Sequence, residues 1–210
     1  YKQKKMSFSI NDTRVSMELD PDFPRSGHVR VRTSAENGAS FSLALRIPEY
    51  AENFELLVNG ARTSGKIEKG FLYLNALSGD TELEIDFAMS PHFVRADPRV
   101  RADIGKIAIV RGPEVYCLEG CDDGSFLADV FVDSSACIEE VWCGDLLGGT
   151  ITLKLEGERI NESEQIQSTS FMAIPYGSWC SQKPGEMIVW IKEMYVPKPR
   201  MSERIEQLYK

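Results

Sequence analysis

The chain has 210 residues, 42% hydrophobic and 27% charged, which is typical of one large or two small folded domains and unlike a disordered chain. Its formal net charge is -8, and it has no long basic run, so nucleic acid is not an expected partner. No apolar stretch approaches about 18 residues and no signal-peptide pattern is present, so we expect neither a membrane span nor a membrane partner.

The cysteines and the first residue add two expectations about context. Five cysteines, all in the second half, cannot all pair with one another, which favours a reducing compartment and a cytoplasmic location. The chain begins with Tyr1 rather than methionine, so we expect it to be a piece of a longer polypeptide.

Alternation of apolar and polar residues is the dominant pattern along the chain. It recurs, in chain order, in residues 15–19, 41–47, 81–89 and 151–155. In the third of these runs Leu83, Ile85 and Phe87 alternate with acidic residues. A period of two predicts half-buried strands, each with one face against a second sheet and the other face in water.

Turn-forming residues separate the predicted strands. Asn59-Gly60 follows the run 54–58 and supplies the positive φ angles of a tight hairpin. Pro48 ends the run 41–47, because proline has no N–H to donate to a sheet. Further turns are predicted at Gly79-Asp80, Asp123-Gly124 and Gly148-Gly149.

These patterns predict an all-β fold made of two consecutive antiparallel β-sandwich, jelly-roll-like domains. A polar junction broken by Pro98 places the first domain at residues 1–97 and the second at residues 98–210. The second domain ends in a short tail, where residues 202–209 could form a helix. No internal repeat makes the two halves copies of each other.

Residues 106–121, KIAIVRGPEVYCLEGC, could form either a catalytic site or a structural corner. A self-sufficient enzyme would use Cys117, Glu119 and Cys121. However, thiolate zinc sites commonly combine four ligands from paired CxxC units, and the sequence has none. Cysteine in an apolar run usually packs as a small hydrophobe. We therefore predict no catalytic residue and no metal or other cofactor in this chain.

In the structural interpretation, Arg111, Gly112 and Pro113 form a corner between two strands and support packing between domains. Gly112 allows a turn or a close approach of the backbone, and Pro113 fixes the start of the next strand. Arg111 would pair with Glu114, with Glu119 or with a carboxylate on another domain.

Tyr176 and Trp179 are the candidate carbohydrate-binding residues. They lie in PYGSW, a segment that is predicted to be a loop. β-Sandwich modules often bind sugars on exposed aromatic rings, with polar neighbours that fix the orientation of the ligand. The alternative is that these rings, like Trp142 and Trp190, serve only for packing.

Three segments carry a resemblance to a known family. Residues 45–51 (LRIPEYA) and 58–60 (VNG), residues 108–119 (AIVRGPEVYCLE), and residues 173–190 with PY, Trp179 and GEMIVW resemble glycoside hydrolase family 127, the β-L-arabinofuranosidases. The order and rough spacing of these motifs hold over most of residues 10–192. Tyr50 stands where the family usually has tryptophan.

The resemblance implies a helical (α/α)6 barrel, absent from this sequence, that carries a cysteine nucleophile, an assisting glutamate and a zinc ion. Family ligands come from a Glu-x-Cys motif and an adjacent Cys-Cys pair. Glu119-Gly120-Cys121 matches the first superficially, but the chain has no Cys-Cys pair, so no catalytic or zinc role is transferred. The implied partners are the barrel of the same polypeptide, possibly a carbohydrate, and a second copy in a homodimer.

Overall fold

The computed structural model describes residues 4–51, 53–146, 148–161 and 163–194. The chain divides into two compact units. Unit 1 contains the described residues up to Pro91 together with Val110–Glu114. Unit 2 contains His92–Ile109 and the described residues from Val115 onward. The helix suggested for residues 202–209 lies outside the described residues.

Unit 1 is built from short strands joined by tight turns. They are β1 (Lys4–Ile10), β2 (Thr13–Pro21), β3 (His28–Ala35), β4 (Ser40–Arg46), β5 (Phe54–Val58), β6 (Ala61–Arg62), β7 (Lys66–Glu68), β8 (Phe71–Ser78) and β9 (Asp80–Phe87). The predicted Asn59-Gly60 hairpin joins β5 to β6, and both residues have positive φ, at 50° and 77°.

Two sheets face each other across the core of unit 1. The larger has the strand order β1-β2-β3-β9-β5-β6 and the smaller the order β4-β8-β7. The alternation in the sequence decides which side chains enter the core, because Val29, Val31, Leu83 and Ile85 are each at most 1% exposed. Unit 1 is therefore an antiparallel sandwich, as the pattern predicts.

The chain continues with further strands, which lie in unit 2 except for Pro91, Val110, Arg111 and Glu114. They are β10 (Pro91–Val94), β11 (Lys106–Arg111), β12 (Glu114–Glu119), β13 (Val130–Val132), β14 (Ile138–Cys143), β15 (Thr150–Ile160), β16 (Ile166–Pro175), β17 (Met187–Ile188) and β18 (Ile191–Glu193). One short helix, α1 (Gly120–Asp123), follows β12 directly. Tyr116, Leu118, Leu153 and Phe171 contribute to the main core of unit 2.

The sheet of unit 2 curves back on itself. Its strand order is β10-β11-β18-β13-β15-β16-β12-β17, and an additional pairing joins β11 to β12. β13 and β18 run parallel to each other, which is an exception to the predicted antiparallel pairing. The all-β, sandwich-like prediction is confirmed, with the refinement that this sheet forms a partial barrel.

A second, small core lies on the other face of β12 and β16. Cys117, Leu146 and Ile174 are buried there, next to the partly buried Met187 and Val189. Since side chains alternate along a strand, Cys117 and Glu119 point away from the main core, where Tyr116 and Leu118 lie. Loops cover this second face, so it is not a water-facing surface.

Candidate functional site

The predicted loop with the two aromatic residues exists and begins with a single 3-10 turn, Tyr176–Ser178. We call residues 176–186 the aromatic loop. The N–H of Trp179 donates to the carbonyl oxygen of Tyr176 at 3.1 Å and closes the turn. In the isolated chain Tyr176 is 48% exposed and Trp179 is 43% exposed, so a ligand could reach both rings.

The two rings lie against each other. Their centroids are 6.2 Å apart and their planes differ by 19°. This separation is within the range of about 4.5–7 Å for aromatic rings in contact. A ligand therefore has access to the outward surfaces of Tyr176 and Trp179 but cannot enter between them.

Two carboxylates, one directly before α1 and one within it, fix the aromatic loop. Glu119, only 2% exposed, accepts the N–H of Cys180 through Oε1 at 2.7 Å. Oδ2 of Asp122 accepts a hydrogen bond from Nε2 of Gln182 at 2.9 Å. A hydrogen bond to a charged acceptor is stronger than one between neutral groups. Glu119 thus positions the backbone directly after Trp179.

Glu186 fixes the far end of the aromatic loop. Its carboxylate accepts the backbone N–H groups of Phe126, at 2.8 Å, and Leu127, at 3.1 Å. Its own carbonyl oxygen accepts the N–H of Gly120 at 2.8 Å. Both ends of the loop are therefore bonded to the segment that follows β12.

A groove of about 590 Å³ begins at Tyr176. Trp190, Met187 and Val115 line it, and an ion pair between Lys106 and Asp103, 3.3 Å from Nζ to Oδ1, forms part of its wall. An apolar lining with a few polar groups is typical of small-molecule sites. Sequence reasoning missed Trp190, Asp103 and Lys106 here, since only the tertiary fold brings them next to Tyr176.

The thiol of Cys117 is neither accessible nor readily deprotonated. It is 1% exposed, and burial, assisted by the nearby Glu119 and Asp123 charges, raises its pKa to about 12. The thiolate is the nucleophilic form of cysteine, and the raised pKa suppresses it at neutral pH. The five cysteines of the chain are free thiols.

Glu119, Cys121 and Asp122 place potential metal-ligating atoms within 4.8 Å of one another. The set nevertheless fits zinc poorly. One Glu119 oxygen accepts the Cys180 N–H, and the other accepts the Cys121 thiol at 3.6 Å. Burial and the neighbouring carboxylates raise the pKa of Cys121, which disfavours the thiolate that zinc requires.

Asp123, the last residue of α1, is partly buried and lies within the electrostatic influence of the partly buried Arg159. Oδ1 of Asp123 accepts the N–H of Met172 at 2.8 Å, whereas Oδ2 is buried without a hydrogen-bond partner. Burial raises the pKa of Asp123 to about 6. Arg159 lies over the ring of Phe171, with Cζ 5.7 Å from its centroid. The carboxyl group of Asp123 therefore gains or loses its proton near pH 6, where most aspartates are fully ionised.

Arg111, Gly112 and Pro113 form the connection between β11 and β12, where the corner is predicted. Gly112 has φ +54°, and a Cβ at this position would lie 2.5 Å from Cε of Met89. A side chain here would be strained by the positive φ, and it would require the flexible end of Met89 to move.

Arg111 is 6% exposed and donates to two backbone carbonyls within unit 1, to which it belongs itself. Nη1 reaches the oxygen of Pro24 at 3.3 Å, and Nη2 reaches the oxygen of Arg25 at 3.2 Å. Its charge also lowers the pKa of Glu114, although burial has the larger effect and raises it. The two carbonyl acceptors are partners that the sequence did not indicate, and the pairing of Arg111 with a carboxylate stays a prediction.

Comparison with known domain families identifies both parts of the chain. Residues 1–89 match the middle domain of GH127 β-L-arabinofuranosidases. Residues 91–192 match the C-terminal domain of glycoside hydrolase family 127. The chain belongs to glycoside hydrolase family 127. It corresponds to the middle and C-terminal domains of that family, and the resemblance seen in its motifs is confirmed.

Individual family 127 proteins show the same relationship. A non-reducing end β-L-arabinofuranosidase of Bifidobacterium longum subsp. longum is 34% identical over 199 residues, which are 84% of this chain and 30% of that protein. The chain thus spans about a third of the length of this relative.

Solved structures of family 127 proteins have the same fold. A GH127 β-L-arabinofuranosidase from Geobacillus stearothermophilus T6 superposes with a TM-score of 0.87 at 33% identity, over 92% of this chain and 33% of that one. A structure described as a GH127 β-arabinofuranosidase gives 0.81 at 21% identity over 92% of this chain and 34% of that one, and supports the fold alone. Within the described part of this chain, no helix is both long and apolar enough to cross a bilayer.

Proposed function

We propose that this chain is the non-catalytic C-terminal β-sandwich region of a β-L-arabinofuranosidase-like glycoside hydrolase, and that an (α/α)6 barrel elsewhere in the same polypeptide carries out the reaction. The observation that carries the proposal is the match of both units to non-initial domains of family 127, over about a third of the relatives' length. The zinc ion of the family would then be held by the barrel.

The chemistry of the candidate residues supports a scaffolding role. Cys117 is buried with a strongly raised pKa, and both oxygens of Glu119 accept hydrogen bonds from within unit 2. A nucleophile and a general acid would both need access to substrate. These two residues instead stabilise the loops that cover the second face of β12.

The barrel of the same polypeptide would be the principal partner, and the two units would support its loops. Contacts between two copies of the longer protein, giving a homodimer, are a further part of this proposal. We expect the barrel to pack against these units because a barrel without them would expose apolar surface.

The experiment compares this chain with the longer polypeptide on a chromogenic aryl β-L-arabinofuranoside, each with and without added zinc. We expect release of the aryl group by the longer polypeptide only. Hydrolysis by this chain alone, abolished by Cys121→Ser or Glu119→Gln, would overturn the proposal in favour of a self-sufficient enzyme.

A second candidate function is carbohydrate binding by the aromatic loop. The observation that favours it is the exposure of Tyr176 and Trp179 beside the groove that contains Trp190. Titration with arabinan-type oligosaccharides, followed by tryptophan fluorescence and calorimetry, tests it. Saturable binding should be lost in Trp179→Ala, because the Trp179 ring lies against Tyr176 of the groove, and kept in Trp142→Ala, since Trp142 is similarly exposed but does not line the groove.

A further inference from the structure

An open trough of about 890 Å³ crosses the outer face of the larger sheet of unit 1. This volume is near the upper end of the ~300–1,000 Å³ that is typical of small-molecule sites. The trough runs across β1, β2, β3 and β9 rather than along any one strand. It is remote in sequence from the aromatic loop and contains no aromatic side chain.

One row of short polar side chains runs along the trough. Ser7 pairs with Ser16, Ser16 with Ser34, and Ser34 with Asp80, so the four residues stand side by side on adjacent strands. Directly paired residues point to the same face of a sheet. At about 4.8 Å between strands, the row is roughly 14 Å long.

A row of long charged side chains forms the other wall. Lys5, Glu18, Arg32 and Glu82 also occupy paired positions on the four strands. Nζ of Lys5 is 2.8 Å from Oε1 of Glu18, and Nε of Arg32 is 2.7 Å from Oε2 of Glu82. At one end Asn59 accepts the N–H of Glu82 through Oδ1 at 2.8 Å.

The difference in side-chain length creates the concavity. Serine is short and the facing lysine, arginine and glutamate side chains are long, so a channel remains between the two rows. Its floor is formed by backbone together with the partly buried Met6 and Met17, because Thr33 and Thr81 in the same row turn their side chains inward and are 4% and 5% exposed. Both ion pairs are largely solvent-exposed, so their charged groups remain accessible to a ligand.

We propose that this serine trough binds a neutral oligosaccharide lying across the strands. Hydroxyls donate and accept, a carboxylate has several acceptor positions, and a guanidinium has five donors, so each wall residue can bond a sugar hydroxyl beyond its present partner. The length of the row suits a short oligosaccharide better than a single sugar. The site goes beyond the function proposed above and does not depend on it.

The charges argue against other ligands. Glu18, Glu82 and Asp80 outnumber Lys5 and Arg32, so a nucleic acid or an acidic sugar would be repelled. The outward-facing walls lack the apolar pockets into which a hydrophobic peptide could insert. A ligand that is uncharged and rich in hydroxyls matches both the charge balance and the hydrogen-bonding groups.

The test is a titration of the ¹⁵N-labelled chain with arabinotriose, xylotriose and maltotriose, with trigalacturonate as the anionic comparison. We expect amide shifts at Ser16, Arg32 and Ser34 with at least one neutral trisaccharide. Tryptophan fluorescence should stay constant, because unit 1 contains no tryptophan.

Variants make the assignment specific. Ser16→Tyr fills the trough and should weaken binding by about tenfold or more, as should Arg32→Gln, which removes a charged hydrogen-bond donor. Ser42→Tyr is the matched control, because Ser42 is an exposed strand serine on the smaller sheet of unit 1. The Ser42→Tyr variant should bind the neutral trisaccharide with the same affinity as the unmodified chain.

Three results would overturn the proposal. They are absence of shifts with all three neutral trisaccharides at millimolar concentration, equal affinity for trigalacturonate, and unchanged affinity in Ser16→Tyr. Protection of the same amides from hydrogen exchange in the longer polypeptide without sugar would identify an interface between domains instead. None of these results depends on whether the chain hydrolyses arabinofuranosides, so the two proposals can fail separately.

Discussion

The outer sheet face of unit 1 and the second face of β12 and β16 in unit 2 have similar sequence patterns but opposite environments. In unit 1, Arg30 pairs with Glu84 and Arg32 with Glu82 in water-accessible positions. In unit 2, Cys117 and Glu119 occupy the equivalent alternating positions and are 1% and 2% exposed. The difference is the aromatic loop and its neighbours, which cover the face in unit 2 only.

This comparison shows that alternation identifies the two faces of a strand but not the environment of either one. A carboxylate on an open face is solvated and contributes little to stability. The same carboxylate beneath a loop must be hydrogen-bonded, because an unsatisfied buried charge is costly. Glu82 and Glu119 therefore differ in role although both follow from the same sequence period.

The largest expected contrast is in thiol reactivity. Cys117 lies on the covered face with a pKa of about 12, so its thiolate is roughly a thousandfold rarer at neutral pH than that of an ordinary cysteine. Iodoacetamide labelling followed by mass spectrometry should modify the exposed Cys137 readily and leave Cys117 unmodified in the folded chain. Equal labelling rates would show that the second face is open.

Replacement of the two carboxylates should give the next largest contrast. Glu119→Ala leaves the Cys180 N–H without its acceptor and should reduce the free energy of unfolding by about 2–3 kcal/mol. Glu82→Ala on the open face should cost less than about 1 kcal/mol. Chemical denaturation measures both, and equal losses would contradict the distinction between the two faces.

Asp123 should make unit 2 sensitive to pH. Its pKa in the folded state is about 6, above the value of about 3.9 for an unfolded aspartate, so folding binds a proton between these values. The contribution of Asp123 to the free energy of unfolding is complete below about pH 4 and is lost as pH rises through 6, a decrease of about 3 kcal/mol.

The variant Asp123→Asn isolates this effect, since asparagine keeps an acceptor for the N–H of Met172. The difference in unfolding free energy between the two proteins should change across pH 4–6 and be constant above pH 7. A constant difference over the whole range would exclude Asp123 as the titrating group.

The smallest effect should come from the open face of unit 1. A double-mutant cycle with Arg30→Gln and Glu84→Gln should give a coupling of about 0.2–1 kcal/mol, because the pair is partly exposed. Salt should reduce the coupling, since mobile ions screen exposed charges. A coupling above about 2 kcal/mol that persists in high salt would mean that this face is covered as well.

The sequence predicts the local structure well and the tertiary arrangement less well. Period-two alternation and Asn59-Gly60 are local signals, and the strands and hairpin they predict are present. The parallel pairing of β13 with β18 joins segments about 60 residues apart, so no local pattern indicates it.

The candidate site shows the same limit. A loop at Tyr176 and Trp179 follows from composition, because proline, glycine and serine favour turns, whereas the exposure of the two rings is known only from the structure. The role of Glu119 does not, since its partner Cys180 is brought to it only by the fold. Trp190 is likewise near Tyr176 in space while β17 intervenes in the chain.

The Asn59-Gly60 turn is also a site of expected chemical degradation by deamidation. Glycine after asparagine leaves the asparagine amide open to attack by the next backbone nitrogen, and both residues lie at an exposed hairpin tip. Asparagine is among the residues that limit chemical durability at high temperature. Deamidation at Asn59 would place a new negative charge next to Glu82, so storage would progressively alter the end of the serine trough without any change in the rest of the fold.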